Sequence, residues 1–188
     1  MEKRTVPGWD EYLMKMVDLV KTKSKDRSTQ VGCVIVKDGR IPIVMGYNGF
    51  PRGVSDDVDS RHERPVKYFY TEHAERNAIY AAAREGISVL GSTMYVSGLP
   101  CADCARAIIQ SGVASVVLPN APFEGKGDWL ESCMAGVEMM EEAGIDLVFI
   151  DVHKGYTRAN PSFLDLSRKN KDISTTSYFK GPRVGVLG

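Results

Sequence analysis

His73, Glu75, Cys101 and Cys104 are the residues whose types and spacing can do chemistry. They sit in two short runs, Thr71-Glu72-His73-Ala74-Glu75-Arg76-Asn77-Ala78-Ile79 and Pro100-Cys101-Ala102-Asp103-Cys104. One imidazole and two thiolates form a donor set for Zn²⁺ that leaves the fourth tetrahedral position to water. Zinc lowers the pKa of such a water toward neutrality, so hydroxide is available as a nucleophile. Glu75, two residues after His73, is placed to shuttle protons rather than to ligate the ion.

Two blander readings use the same residues. A lone C-x-x-C suits a redox pair or half of a structural zinc site. No second C-x-x-C exists to complete a four-cysteine site, and no thioredoxin-like strand precedes this one. A structural zinc site also has no need of Glu75.

The elements around these residues are readable. Residues 74–84 are rich in Ala, Arg, Glu and Asn, with no Pro or Gly before Gly86, and read as a helix with His73 and Glu75 at its first turn. Cys101 and Cys104 open a second helix running to Gln110; three residues apart, they share one helical face. Pro100 suits a helix start, and helix N-termini favour thiolate over thiol. Residues 9–23 form an amphipathic helix, with Trp9, Leu13, Met16, Val17 and Val20 at spacings of three and four. Residues 129–143 form another, whose stripe Trp129, Cys133, Val137 and Met140 reads as core or subunit interface.

Strands are expected at residues 31–37, 40–47, 93–97, 114–118 and 146–150. Asp38-Gly39 makes a hairpin of the first two, and Pro42 places the second at an edge. Cys33 falls in the first strand and reads as core. The later alternation of strands and helices implies parallel, right-handed connections. The fold class is therefore α/β, with a mixed sheet and helices on both faces.

Three polar stretches separate these elements. The loop 21–30 carries four cations; it is either a solvated surface or a phosphate contact. Arg27 is the better single candidate because a guanidinium binds phosphate bidentately, with Lys25 next. Gly46-Tyr47-Asn48-Gly49-Phe50-Pro51-Arg52-Gly53 is a tightly turning loop in which Asn48 is either a turn residue or a ligand contact. Residues 55–64 form an acidic surface loop in which His62 reads as solvent-exposed.

The chain has 188 residues, enough for one domain with a sizeable core. Lys+Arg and Asp+Glu both number 24, which argues against a broad nucleic-acid surface but leaves room for a small anion held by local cations. No apolar run approaches the length of a membrane span, and MEKRTVPGWDEY lacks the apolar core of a signal peptide. With Cys101 and Cys104 given to zinc, only Cys33 and Cys133 remain, and a reducing, cytoplasmic compartment fits best.

The stretches SKDRSTQVGCVIV, GYNGFPRG with the acidic pair Asp56-Asp57, EHAERNAI and PCADCARAIIQSGV together resemble the deoxycytidylate (dCMP) deaminases of the cytidine deaminase superfamily. The H-x-E…P-C-x-x-C pattern marks the superfamily; GYNG-x-P-x-G together with SKD…STQVG narrows it to the dCMP branch. The resemblance runs over residues 9–150. It implies a three-layer α/β/α cytidine deaminase-like fold with a five-stranded mixed sheet. It also implies zinc on His73, Cys101 and Cys104, Glu75 as proton shuttle and Asn48 at the substrate sugar. Ala74, through its backbone N–H, and Ser97 or Gly98, through a carbonyl, would read the base edge. Phe123 is the nearest match to a family tyrosine that stacks near the base.

The implied reaction converts dCMP to dUMP and ammonia and supplies a thymidylate precursor. The resemblance further implies a homo-oligomer, often a hexamer, activated by dCTP and inhibited by dTTP with Mg²⁺. Tyr47, Gly49, Arg52, Asp56 and Asp57 are the positions suited to that regulation. The expected organisation is a deaminase domain over residues 1–152 and a C-terminal extension over residues 153–188. The rival readings are a deaminase for another cytosine nucleotide or nucleoside, and a non-catalytic zinc or nucleotide-binding module.

Overall fold

The computed structural model describes residues 4–120 and 127–159. Its elements run α1 (Trp9–Lys21), β1 (Gly32–Lys37), β2 (Ile41–Tyr47), α2 (Lys67–Tyr70), α3 (Ala74–Arg84), β3 (Thr93–Val96), α4 (Ala102–Gln110), β4 (Ser115–Pro119), α5 (Asp128–Glu142), β5 (Asp146–Asp151) and β6 (Thr157–Ala159). The strands form one sheet in the order β2-β1-β3-β4-β5-β6. The hairpin β1/β2 and the pairs β1/β3 and β5/β6 are antiparallel, while β3, β4 and β5 are parallel.

Alternation along β1 builds the two sides of the sheet. Cys33 and Ile35 join Met94, Val96, Val116 and Leu118 beneath Ala74, Ala78, Ile108, Val137 and Met140 of α3, α4 and α5. Val34 and Val36 join Tyr95, Val117 and Ile150 on the other face, against Leu13, Met14, Val17 and Val20 of α1. This period of two in a strand and the stripe on α1 give the expected three-layer α/β/α arrangement. Cys33 is fully buried in it, as a small core hydrophobe.

The sheet corrects one expectation: it has six strands, not five. The sixth, Thr157–Ala159, pairs with Phe149–Asp151 beyond the expected domain boundary at residue 152. A three-residue strand carries too little pattern to be read from sequence. Pro42 lies on β2 at the sheet edge, opposite Val36 and beside a register shift, where its missing N–H costs no ladder bond.

One glycine brings backbone onto backbone at α3. A Cβ on Gly46 of β2 would stand 2.4 Å from the carbonyl oxygen of Ala74 and 2.5 Å from the nitrogen of Ala78. Only a residue without a side chain allows α3 to lie this close to the edge strand.

Candidate metal centre and active site

His73 is the N-cap of α3, and its extended backbone (ψ 155°) turns the chain into the helix. Cys101 occupies the same place on α4 (ψ 172°), with Cys104 in that helix's first turn. Both helices start just beyond the sheet, α4 directly after β3 by way of Gly98-Leu99-Pro100. Two helix N-termini therefore converge, and their unpaired N–H groups favour thiolate charge.

The structure brings the three donors together. His73 Nδ1 lies 3.5 Å from Cys101 Sγ and 3.4 Å from Cys104 Sγ. The three donor atoms all lie within 4.8 Å of one another, and this is the His/Cys/Asp/Glu metal cluster found among the described residues. Tetrahedral zinc with Zn–N of about 2.0–2.1 Å and Zn–S of about 2.3 Å sets N···S near 3.6 Å. Both N···S distances lie close to that value.

Glu75 is 4% exposed and faces this cluster. Burial pushes its carboxyl above the ordinary glutamate range, partly offset by a hydrogen bond with its own backbone amide and by the His73 charge. A carboxyl raised in this way suits proton exchange. The Cys101 thiol is held down at about 4 by its hydrogen bond with Cys104, with His73 adding to the effect. Cys104, the donor in that bond, is pushed up correspondingly. The pair carries one negative charge readily, and a dication is what would stabilise the second thiolate. His73 is raised by its hydrogen bond with Cys101.

The surroundings fix these side chains. Glu72 Oε1 accepts from the His73 backbone N–H at 2.9 Å and from Arg76 Nε at 2.6 Å. Arg76 also reaches Asp103 Oδ2 at 3.3 Å, so one guanidinium joins the residues preceding His73 and Cys104. Sequence reasoning passed over Arg76, although its spacing to Glu72 is that of a helical ion pair. Trp129 packs edge-on against the His73 ring, with centroids 5.6 Å apart. It lies at the metal cluster and is 45% exposed, so on the stripe expected for α5 it is not a core residue. Cys133 is fully buried beside Cys101 and Cys104, and burial pushes its thiol up to about 12.

Asn48 is buried, and both ends of its amide are engaged. Oδ1 accepts from the Val31 N–H at 2.7 Å and Nδ2 donates to the Thr29 carbonyl at 2.8 Å. Each end keeps one further bonding position, so a loop-holding role and a sugar contact are compatible. The Ser97 hydroxyl accepts from the Gly32 N–H at 3.0 Å, and the Ser97 N–H donates to the Gly32 carbonyl at 3.1 Å. Ala74 lies under the cluster at the start of α3, fully buried; Gly98 lies in the turn before Pro100. Phe123 falls outside the described residues.

Lys25 and Arg27 bond to Asp56 and Asp59 rather than to residues of the metal cluster. They line a cavity of about 510 Å³ with Tyr47, Gly49, Arg52 and Asp56, the positions assigned to regulation. His73, Glu75, Cys101 and Cys104 are not among its walls. Lys25 pairs with Asp56 at 2.8 Å and Arg27 with Asp59 at 2.5 Å, all four at the surface or near it. Asp57 sits beside Asp56 and is not a lining residue. Of the residues read as substrate contacts, Lys25 and Arg27 therefore border one cavity with Tyr47, Gly49, Arg52 and Asp56 of the regulatory set, while Asn48, Ala74, Ser97 and Gly98 do not line it. His62 also lines it and is not free in solvent: its ring stacks on Phe50 with centroids 4.9 Å apart, and Nε2 contacts the Asp56 carbonyl at 2.7 Å.

An α/β/α domain with a histidine and two cysteines at converging helix starts, and a buried glutamate beside them, defines the class of the zinc-type hydrolytic deaminases. A family model described as the cytidine and deoxycytidylate deaminase zinc-binding region matches residues 7–119. The chain belongs to the cytidine and deoxycytidylate deaminase family. It is 39% identical over 145 residues to an uncharacterized deaminase of Aliivibrio fischeri, covering 77% of this chain and 95% of that protein. It is 40% identical over 120 residues to the deoxycytidylate deaminase of Homo sapiens, covering 61% of this chain and 66% of that one. Among solved structures, the dCMP deaminase of cyanophage S-TIM5 in apo form matches with a TM-score of 0.60 and 26% identity, over 78% of this chain and all (100%) of that one.

Proposed function

We propose that the chain deaminates dCMP hydrolytically, giving dUMP and ammonia. The observation that carries this reading is the buried Glu75 beside His73, Cys101 and Cys104, a donor triad whose spacing fits tetrahedral zinc. The 40% identity to a human deoxycytidylate deaminase supports the substrate.

His73, Cys101 and Cys104 would hold the ion, and zinc there would supply the Lewis acidity that makes water a nucleophile at neutral pH. Glu75 accepts the proton of the attacking water, delivers it to N3 of cytosine, and returns a proton to the departing amine. Water adds at C4, the C4–N4 bond breaks, and ammonia leaves; the balance is dCMP plus water to dUMP plus ammonia. The Ala74 N–H and the Ser97 or Gly98 carbonyl would hold the base edge, and Asn48, with its spare donor and acceptor, the sugar. Arg27, with Lys25 beside it, would bind the substrate phosphate after exchanging its surface partner Asp59 for the ligand. A surface ion pair of that kind contributes little, so a phosphate dianion displaces it easily.

Ammonia release measured side by side on dCMP, dCTP, deoxycytidine and CMP tests the proposal. dCMP should be the preferred substrate. Preference for deoxycytidine would favour a nucleoside deaminase, and no release from any of the four would favour a binding module.

The cavity at the GYNG loop supports regulation by dCTP and dTTP with Mg²⁺. Lys23, Arg52 and Arg84 give it cations for a triphosphate, and Asp56 a carboxylate for a metal. In the same assay, dCTP should raise and dTTP should lower turnover at low dCMP. A homo-oligomer is supported by the exposed apolar side chains Phe69 (84%), Tyr68 (60%) and Met45 (56%). Four buried cysteines, none in a disulfide, favour a cytoplasmic setting, and among the described residues no helix is long and apolar enough to cross a membrane. A role in thymidylate precursor supply follows from dUMP as product. The deaminase domain so proposed runs past residue 152 to include β6.

A further inference from the structure

Lys67 is a cation that neither the metal chemistry nor the expected phosphate contact uses. Its side chain is 10% exposed, and that of its partner Asp26 is 7% exposed. Lys67 Nζ donates to Asp26 Oδ1 at 2.9 Å, to Asp26 Oδ2 at 2.8 Å and to Ser28 Oγ at 2.7 Å. All three ammonium hydrogens are thereby spent, so Lys67 is not itself a free anion site although it borders the cavity. Asp26 Oδ1 also accepts from the Ser28 N–H at 2.8 Å, the Ser28 hydroxyl at 2.9 Å and the Thr29 N–H at 3.0 Å.

The network closes around one residue. Arg27 is flanked by Asp26 and Ser28, and both neighbours are fastened to the same ammonium. The Arg27 side chain itself is 56% exposed, so its direction depends on the backbone beneath it. At its other end Lys67 opens α2, whose last residues lead through Thr71 and Glu72 to His73. Glu72 is bonded to Gly49 of the GYNG loop by paired backbone bonds of 2.8 and 3.0 Å. Burial pushes Asp26 up, yet the bonds from Lys67, Thr29 and Ser28 outweigh it and hold the carboxyl at about 2, so Asp26 is a carboxylate at every working pH. A buried, fully bonded ion pair fixes geometry more than it adds stability.

We propose that Lys67 is a positioning residue for phosphate recognition: through Asp26 and Ser28 it sets the shape of the loop 24–30 that presents Arg27, and ties that loop to the segment ending at the metal ligand His73. The inference rests on the reading of Arg27 as the substrate phosphate contact. It makes selectivity for the nucleotide over the nucleoside a property of a buried pair that touches neither phosphate nor base.

The test uses the full zinc-loaded protein with dCMP and deoxycytidine as substrates. In Lys67→Met, kcat/KM for dCMP should fall about tenfold or more relative to that for deoxycytidine, the scale of one charged hydrogen bond, with zinc content unchanged. Lys67→Arg should recover most of the selectivity. In an Arg27→Ala background, Lys67→Met should lower the ratio no further, because both act through one contact. If Lys67→Met does not fold, the double variant Asp26→Asn/Lys67→Met leaves no buried unpaired charge and should show the same loss of ratio. An equal loss on both substrates, or an unchanged ratio in a folded variant, would overturn the proposal. So would an unchanged ratio with an altered response to dCTP and dTTP, which would give the loop to the regulatory site. Wild-type protein without a preference for dCMP would instead remove the phosphate reading beneath it. Erosion by Arg27→Ala but not by Lys67→Met would keep that reading and reject the role of Lys67.

Discussion

Gly136 of α5 lies against the peptide that joins Pro100 to Cys101: a Cβ at Gly136 would stand 2.8 Å from the Pro100 carbonyl oxygen and 3.1 Å from the Cys101 carbonyl carbon. The contact is backbone to backbone, so no side-chain rotation can relieve it. The turn carrying the candidate metal ligand Cys101 is thus held from behind by a helix that adds no residue to the donor triad.

Gly136→Ala should therefore act on both stability and metal. Overpacking of this kind costs about 1–3 kcal/mol, or roughly 2–12 °C in Tm for a chain of this size. Zinc affinity should fall as Cys101 shifts. Gly8→Ala is the control, since a Cβ there meets nothing within 4 Å. Thermal melts and zinc titration check both; equal Tm values for the two variants would show that α5 yields freely.

Cys101→Ala and Cys104→Ser should each lose zinc and turnover together, because three protein donors define a catalytic site. Cys133→Ser, beside them but not within the donor triad, should keep about one zinc per chain and most of its activity. Metal analysis after gel filtration, paired with the ammonia assay, separates the outcomes. Retained zinc in both ligand variants would reject the triad.

Arg27→Ala should lower kcat/KM for dCMP roughly ten- to a hundredfold, the scale of one charged hydrogen bond, while sparing deoxycytidine. Asp59→Asn, which frees Arg27 from its surface partner, should leave dCMP turnover unchanged or slightly higher. Equal losses on both substrates in Arg27→Ala would mark a structural role.

The Asp26–Lys67 pair sets a pH signature. Asp26 titrates at about 2 in the fold against an ordinary 3.8. A depressed folded pKa gives stability that is fully present above the unfolded value and is lost as pH falls through the folded one. With zinc removed by chelator, the Tm advantage of wild type over Asp26→Asn should be constant above about pH 5 and shrink between about pH 4 and pH 2. An advantage that holds constant to pH 2 would mean that Asp26 contributes through shape alone.

The chemistry of this chain was more legible than its supports. His73, Glu75, Cys101 and Cys104 could be singled out because metal chemistry fixes both residue type and interval, and the fold places the four together. The two layers of helices followed from period two in β1 and from the stripe on α1. Lys67 could not be read: within Arg64-Pro65-Val66-Lys67-Tyr68-Phe69-Tyr70 it looks like any surface lysine, and its partner lies 41 residues away. His62 was misread for the same reason, since its stacking on Phe50 is a tertiary contact with no local pattern. Trp129 fitted an apolar stripe by spacing, and only the fold shows its edge against the His73 ring. Strand β6 is three residues long, too short for any period to declare itself.

The most direct measurement is dUMP formation by Glu75→Gln beside wild type, with zinc quantified in the same samples. Gln keeps the size of the side chain and removes its proton exchange. Both proteins should hold about one zinc per chain, and wild type should convert dCMP with release of ammonia. The variant should turn over more slowly by a factor of about 10²–10⁴. Turnover near the wild-type rate in a zinc-loaded Glu75→Gln protein would contradict the account, as would a zinc-loaded wild type that releases no ammonia from dCMP.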